Sequence, residues 1–600
     1  PDSIPVDKSI LRIMQLKYDI LRSMYIEKGE KEILFAAADA SDLMISLIEK
    51  IRLNISEEES RLVLGSNYRE SYMLAISNFE QCYDVTGEHR FLEKAFGLAE
   101  RSKVAGLLAA TRQMKAIEFH IPEHLADREK ALQHEISFLN SRISSENEKE
   151  DPDNALLEIL NEDLLAAVAA RDSLVFTFES DYPGYFSLKY NTAVLSMDDI
   201  PGIAGRNSNY INYVVSDSAL YIFLVNRKYQ KLLSFKTDSL FLKNLIDFRE
   251  LLSGPSPSES ARTKFIRYQQ IGNDLYKTLI EPLKKYLISN NLVISPDNIL
   301  SYLPFETFLT GKYAGSDILY RKLDYLMNDY NISYVYSATF MNESAGMGLS
   351  KKNTIIAFAP SYPEGLNIDS LIVERQAENI LNELPFALQE AEYVADIRGG
   401  RHYLNNQANE TVYKNEAADY SIIHLAMHAV VNDQNPMNSA LVFAQVKDSL
   451  NDGMLYTYEV YGIPLKAKMV VLSSCNTGSG TLSSGEGILS LARGFLYSGS
   501  KSVVMSLWKI EDHSGTDIIK MFYDNLEKGM TKSRALKKAR HGYLKNASQL
   551  RSHPYFWSTL VVYGDNTPVF LPWKRFIFFC LLAVIAVISI IYYFRKRRYS

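Results

Sequence analysis

From about Lys8 to Met114, apolar residues recur three and four positions apart, with few β-branched runs and no two-residue alternation, which predicts helices throughout. The stretch Met24-Tyr25-Ile26-Glu27-Lys28-Gly29-Glu30 is echoed by Cys82-Tyr83-Asp84-Val85-Thr86-Gly87-Glu88, and each is followed by a leucine, Leu34 or Leu92, that opens an alanine-rich helix. A glycine between two helices predicts a left-handed helix terminus. Between Glu123 and Ala170 the chain is rich in Glu, Lys, Leu and Ala and is broken near Asp151-Pro152-Asp153, so two long helices forming a hairpin are expected.

The texture changes near residue 180. After Asp181-Tyr182-Pro183-Gly184 come strand-like runs such as Ala219 to Val225, then helices and a polar linker at Gly254-Pro255-Ser256-Pro257. From Asn353 onward short apolar runs alternate with helical segments. Strands are expected at Thr354–Phe358, Ser421–Ala426, Met469–Leu472 and Ser502–Trp508, with helices at Leu388–Ile397 and Gly487–Leu496. Short, nearly continuous apolar runs suit a mostly parallel sheet with helices on both faces. In such sheets chemistry gathers just past the carboxyl ends of the strands.

A last apolar run changes the picture again. Phe576 to Phe594 is uncharged and, as a helix, about 28 Å long, close to a bilayer's hydrocarbon thickness. Trp573, Lys574 and Arg575 precede it, and Tyr592, Tyr593, Arg595, Lys596, Arg597 and Arg598 end or follow it. The expectation is one C-terminal transmembrane helix over 574–594 and a basic tail over 595–600. Four basic residues after the span favour a cytoplasmic tail, and hence soluble domains outside the cytoplasm.

Composition narrows the function classes. Sixty-five Lys and Arg against 71 Asp and Glu leave a net charge of −6, and no half of the chain is strongly basic, so no nucleic-acid partner is expected. The three cysteines, Cys82, Cys475 and Cys580, lie far apart and outline neither a metal site nor a disulfide framework. Cys82 sits in a helical pattern and Cys580 in an apolar run, both suited to small buried hydrophobes. Cys475 alone lies in a loop-like setting, and no metal or cofactor is expected. Gly478 to Gly487 is glycine-rich but lacks the Gly-Lys-Ser/Thr ending of a phosphate-binding loop.

Two predicted strands run into reactive side chains: Ser421-Ile422-Ile423-His424-Leu425-Ala426-Met427-His428-Ala429, and Met469-Val470-Val471-Leu472-Ser473-Ser474-Cys475. The separation is 475 − 428 = 47 residues, near the spacing of about 50 in caspase-type enzymes. A thiolate needs a base or an imidazolium beside it, and a His and a Cys at the ends of neighbouring strands supply that.

These segments resemble the CHAT domain, a caspase-like domain related to separases and often joined to tetratricopeptide repeats. The resemblance covers most of 181–566. It rests on Val293-Ile294-Ser295-Pro296-Asp297, Leu303-Pro304-Phe305-Glu306, Ala387 to Ala391, the His428 and Cys475 motifs, Gly485-Glu486-Gly487 and Ser506-Leu507-Trp508. Ala95 to Lys103 is similar to the second helix of a tetratricopeptide repeat, although the echo spacing exceeds the usual period.

The resemblance implies an α/β caspase-like domain, in parts 181–352 and 353–566, after tetratricopeptide-like helical repeats over 1–116 and a hairpin linker over 117–180. It implies His428 and Cys475 as the catalytic dyad, with His424 a buried structural residue. The backbone amides of Ala429 and Cys475 would hold the oxyanion, Ala429 standing where the family usually has glycine. Asp512, after Ser506-Leu507-Trp508, matches the separase aspartate that recognises arginine, although it could instead cap a helix beginning near Ser514.

The function expected is that of a membrane-anchored cysteine endopeptidase acting on a protein or peptide substrate, its repeats receiving a protein regulator or the substrate. A non-catalytic signalling scaffold that keeps the caspase-like fold for protein contacts is the alternative.

Overall fold

The computed structural model describes residues 8–53, 68–103, 121–147, 149, 152–183, 185–186, 193–254, 259–315, 317–346, 348–350, 352–362, 366–367, 380–381, 383–432, 435–446, 451–474, 481–483, 487–489, 491–570, 585 and 589. The helical periodicity of the first part is realised in two antiparallel pairs. These are α1 (Lys8–Lys28) with α2 (Lys31–Leu53), and α3 (Arg69–Thr86) with α4 (His89–Arg101). The echoed positions are equivalent in space. Gly29 and Gly87 close their helices with φ of 68° and 69°, and each donates its N–H to the matching tyrosine carbonyl, Tyr25 at 2.8 Å and Tyr83 at 2.7 Å. Only glycine enters that conformation without a steric cost. Leu34 and Leu92 are both fully buried.

Helices α5 (Glu123–Asn147) and α6 (Asn154–Asp181) form the expected hairpin. Asp153 caps α6, its carboxylate accepting from the amides of Ala155 at 3.0 Å and Leu156 at 3.1 Å.

Eleven strands build one sheet: β1 (Asn209–Val215), β2 (Ala219–Val225), β3 (Gln230–Lys236), β4 (Asn291–Ser295), β5 (Asn331–Tyr334), β6 (Lys352–Ala359), β7 (Arg401–Leu404), β8 (Tyr420–Leu425), β9 (Met469–Leu472), β10 (Ser502–Ser506) and β11 (Leu560–Gly564). Their order is β3-β2-β1-β4-β5-β11-β10-β9-β8-β6-β7. The sheet runs without a break across residues 352 and 353. It is mixed: seven of its ten strand pairings are parallel, and β3/β2, β2/β1 and β11/β10 are antiparallel. The block β1-β4-β5-β11 is parallel within itself, as is β10-β9-β8-β6-β7, but the two blocks run oppositely and meet at the antiparallel pair β11/β10. Strand direction was hidden because a strand buried on both faces, such as Met469–Leu472, is an apolar run that reads alike either way.

Alternation within β1 shows how both faces are covered. Tyr210 and Val214 join a core with Phe79, Leu92 and Phe96 of the helical repeats, while Ile211, Tyr213 and Val215 face helices α7 (Ser239–Ser253) and α8 (Ala261–Leu279). The expected helix over Gly487–Leu496 is also corrected. Gly487–Leu489 pairs with Thr481–Ser483 as a small hairpin, and the helix spans Leu491–Tyr497.

A buried polar cluster ties the repeats to the sheet. Glu100 accepts from Tyr210 Oη at 2.7 Å, Asn212 Nδ2 at 2.8 Å and the Thr339 amide at 3.0 Å. Arg69 pairs with Asp297, and Lys103 Nζ donates to Asn212 Oδ1 at 2.7 Å and Ser295 Oγ at 2.9 Å. Burial pushes the Lys103 ammonium down to about 8, only partly offset by Asp297 and Glu100. An unfolded lysine titrates near 10.4, so between about pH 8 and 10 the unfolded chain binds the extra proton and this site's contribution to stability rises with pH. The stability deficit of Lys103→Met relative to the parent is therefore expected to grow from pH 8 to pH 10 in denaturant melts. A deficit independent of pH would contradict it.

Among the described residues no helix is long and apolar enough to cross a membrane. This corrects the expectation of a transmembrane helix, and with it the single-pass localisation and the extracytoplasmic placement. A span needs about 20 consecutive apolar residues, whereas the long described helices carry charges along their length, such as Glu158, Glu162, Asp163 and Arg171 in α6. The run 574–594 lies outside the described residues except for Ile585 and Ser589, and the tail 595–600 lies wholly outside.

Candidate functional site

Adjacent parallel strands β8 and β9 carry the two predicted reactive segments, paired Ile422↔Met469, Ile423↔Val470, His424↔Val471 and Leu425↔Leu472. Beyond the last pair, each chain stays tied to its neighbours. The Ala426 amide donates to Phe358 O of β6 at 2.9 Å, and the Ser473 amide to Leu425 O at 2.9 Å. Ser506 Oγ of β10 donates to Ser474 O at 2.5 Å. From the matched pair, His428 is 428 − 425 = 3 residues on and Cys475 is 475 − 472 = 3 residues on. Cys475 itself lies outside the described residues, whereas the buried Ser474 directly before it is held by both neighbouring strands.

His428 is half-buried. Its ring lies 4.8 Å, centroid to centroid, from that of Tyr362, and its amide donates to Tyr362 Oη at 3.1 Å. The same hydroxyl donates to Val442 O at 2.7 Å, while the Val442 amide donates to His428 O at 2.9 Å. Tyr362 thus replaces one of the two direct bonds between His428 and Val442. It went unnoticed in the sequence, although the rule that pointed to His428 applies to it as well, since it follows the carboxyl end of β6.

Ala429 begins a short strand, Ala429–Val430, paired with Ala440–Val442, which pairs in turn with Met454–Tyr456. His428 and Val442 are opposite each other in a hydrogen-bonding position, so the next pair, Ala429 and Leu441, is non-bonding and the Ala429 N–H points away from the partner strand. Among the described residues only Asn298 and Asn405 combine a side chain with positive φ. Alanine in place of the family's glycine therefore carries no backbone strain here.

His424 is fully buried, one strand position before Leu425. Its Nε2 lies 3.0 Å from Glu390 Oε1 and its Nδ1 lies 3.3 Å from Tyr523 Oη, while Thr516 Oγ1 donates to Glu390 Oε2 at 2.8 Å. Glu390 is on α9 (Pro385–Asp396), and Thr516 and Tyr523 are on α10 (Asp512–Glu527), so this histidine pins two helices to β8.

Asp512 opens α10 but does not cap it. Glu511 does, accepting from the Ser514 amide at 2.8 Å. Asp512 Oδ2 instead accepts from the Phe386 amide at 3.2 Å, in the first turn of α9, where Leu384 at the N-cap position has no side-chain acceptor. Burial pushes the Asp512 carboxyl up, against the pull of that amide. Cys82 is buried, and burial pushes its thiol up to about 11, far from a reactive thiolate. Among the described residues no cluster of three or more His, Cys, Asp or Glu could hold a metal ion.

The CHAT domain family model matches residues 269–565, from α8 through all strands from β4 to β11 and the segments around His428 and Cys475. The chain contains a CHAT domain. Tetratricopeptide repeat protein 28 of Homo sapiens is 25% identical over 220 residues, covering 32% of this chain and 9% of that protein. Its Mus musculus counterpart is 21% identical over 343 residues, covering 50% of this chain and 13% of that protein. The chain thus spans a small part of these relatives. A structure of the Saccharomyces cerevisiae separase–securin complex aligns with a TM-score of 0.45 and 11% identity, covering 92% of this chain and 40% of that one. Helical repeats resembling tetratricopeptide repeats precede the CHAT domain and share a core with its sheet.

Proposed function

We propose that the CHAT domain is a cysteine endopeptidase with Cys475 as nucleophile and His428 as its proton partner. The observation that carries this reading is the register: the two residues stand three positions beyond a matched pair on adjacent parallel strands, which lie about 4.8 Å apart. His428 takes the thiol proton, and the Cys475 sulfur attacks a peptide carbonyl carbon. The amides of Cys475 and Ala429 hold the resulting oxyanion, a role supported by the direction of the Ala429 N–H. The C–N bond then breaks as the imidazolium gives its proton to the leaving amine. Water, deprotonated by His428, hydrolyses the thioester and restores the thiol. Incubating the purified chain and its Cys475→Ala variant with a peptide library tests the proposal, and hydrolysis equal in both would overturn it.

Cleavage is proposed to follow Arg or Lys, with Asp512 as the acid that recognises the basic side chain. Its half-buried position past β10 supports this role, with the Phe386 amide fixing one carboxylate oxygen and the other available for a charge-assisted contact. Since its carboxyl is pushed up, the preference for basic residues is expected to fade on acidification at a pH above the ordinary carboxylate range near 4. Asp512→Ala should remove the preference throughout. Unchanged basic preference in that folded variant would refute the assignment.

The repeats are proposed to receive a protein regulator or the substrate. Ile13, Leu16 and Ile20 of α1, each more than half exposed at helical spacing, support a protein-binding face there.

A further inference from the structure

Helix α11 (Lys532–Asn546) turns Ala535, Leu536, Ala539, Arg540 and Tyr543 into the core. Its other face carries Arg534, Lys537, Lys538 and His541 at three- and four-residue spacing, so all four stand on one stripe. These four, with Asn331 and Met530, line a cavity of about 430 Å³ that has no carboxylate in its wall. Lys537 Nζ donates to Asn328 O at 3.1 Å, whereas Arg534, Lys538 and His541 make no hydrogen bond or ion pair with any described residue. Asp329 is the acid whose charge reaches Lys537.

Like charges three and four residues apart destabilise a helix, and Arg534 lies in its first turn, where the helix dipole disfavours cations. The stripe therefore works against the helix that bears it, and a ligand of opposite charge would relieve the repulsion. Burial pushes the Lys537 ammonium down; Asp329, the next largest influence, opposes this, and the charge of Arg534 adds a smaller push down. Burial, followed by Lys537 and Arg540, pushes the His541 imidazole down. The cavity adjoins β5, four places from β8 in the sheet and so roughly 20 Å from the strand leading to His428.

We infer that this cavity is an anion site, removed laterally along the sheet from His428 and Cys475, that binds a small multiply phosphorylated molecule free in solution. The Arg534 guanidinium offers a bidentate fork, the lysines offer point charges, and the volume suits an oligophosphate better than an extended chain.

Isothermal titration of the full chain with inorganic triphosphate at low salt provides the test, with sodium sulfate at matched ionic strength as reference. Saturable binding of triphosphate that sulfate does not reproduce is expected, as is a loss of affinity of about tenfold or more in the Arg534→Gln/Lys538→Gln double variant. Both residues are exposed and repel their neighbours, so the variant should unfold at or slightly above the parent's temperature, and Lys236→Gln on the distant β3 should bind as the parent does. Absence of saturable binding, equal binding of sulfate, or a double variant within about twofold of the parent would each overturn the inference.

Discussion

Cys475→Ala is expected to abolish peptide hydrolysis by the full chain, and His428→Ala to lower it by about a hundredfold to ten-thousandfold, the range that a positioned acid–base group contributes. Neither change should unfold the domain. His428 is half-buried, and its backbone bonds to Tyr362 and Val442 do not involve its ring, so truncating the ring leaves these bonds intact. The same chemistry should appear without a substrate. Native protein treated with iodoacetamide should be labelled at Cys475 before Cys82, whose thiol is buried and pushed up to about 11, and His428→Ala should slow the labelling of Cys475. Mass spectrometry of timed digests reads both sites. Faster modification of Cys82 would remove the case for an activated thiolate.

The largest effect on stability is expected from Arg540 and Glu306. They form an ion pair at 2.7 Å with side chains 2% and 4% exposed, Arg540 also donating to Leu560 O of β11 and Glu306 accepting from Tyr334 Oη of β5 at 2.5 Å. Removing one partner leaves the other buried and uncompensated, so Arg540→Met or Glu306→Leu should each cost about 3–5 kcal/mol. The double variant should cost less than the sum, because it leaves no unpaired charge. Urea unfolding of all four proteins closes the cycle. Strict additivity would show that the pair is not the unit its geometry suggests.

That pair also explains one of the motifs behind the family resemblance. Glu306 of Leu303-Pro304-Phe305-Glu306 anchors α11, just as Asp297 of Ser295-Pro296-Asp297 receives Arg69 from the repeats. Both motifs could be read in the sequence, but their partners, more than two hundred residues away, could not. Pairing across such a distance leaves no trace in local periodicity.

The sequence by itself determined the elements whose signal is local: the repeat helices with their glycine termini at Gly29 and Gly87, the hairpin capped at Asp153, and the buried strands leading to His428 and Cys475. Each follows from residues within a turn or two of one another, through backbone conformation, capping or a run of apolar side chains. Tertiary structure alone decided the opposed directions of the two parallel blocks and the equal offset of His428 and Cys475 from one matched pair. It also decided the place of Tyr362 against His428 and the use of Asp512 on the first turn of a neighbouring helix. A fully buried strand reads the same in both directions, and a hydrogen bond between distant segments depends on how those segments are brought together, which only the packed core specifies.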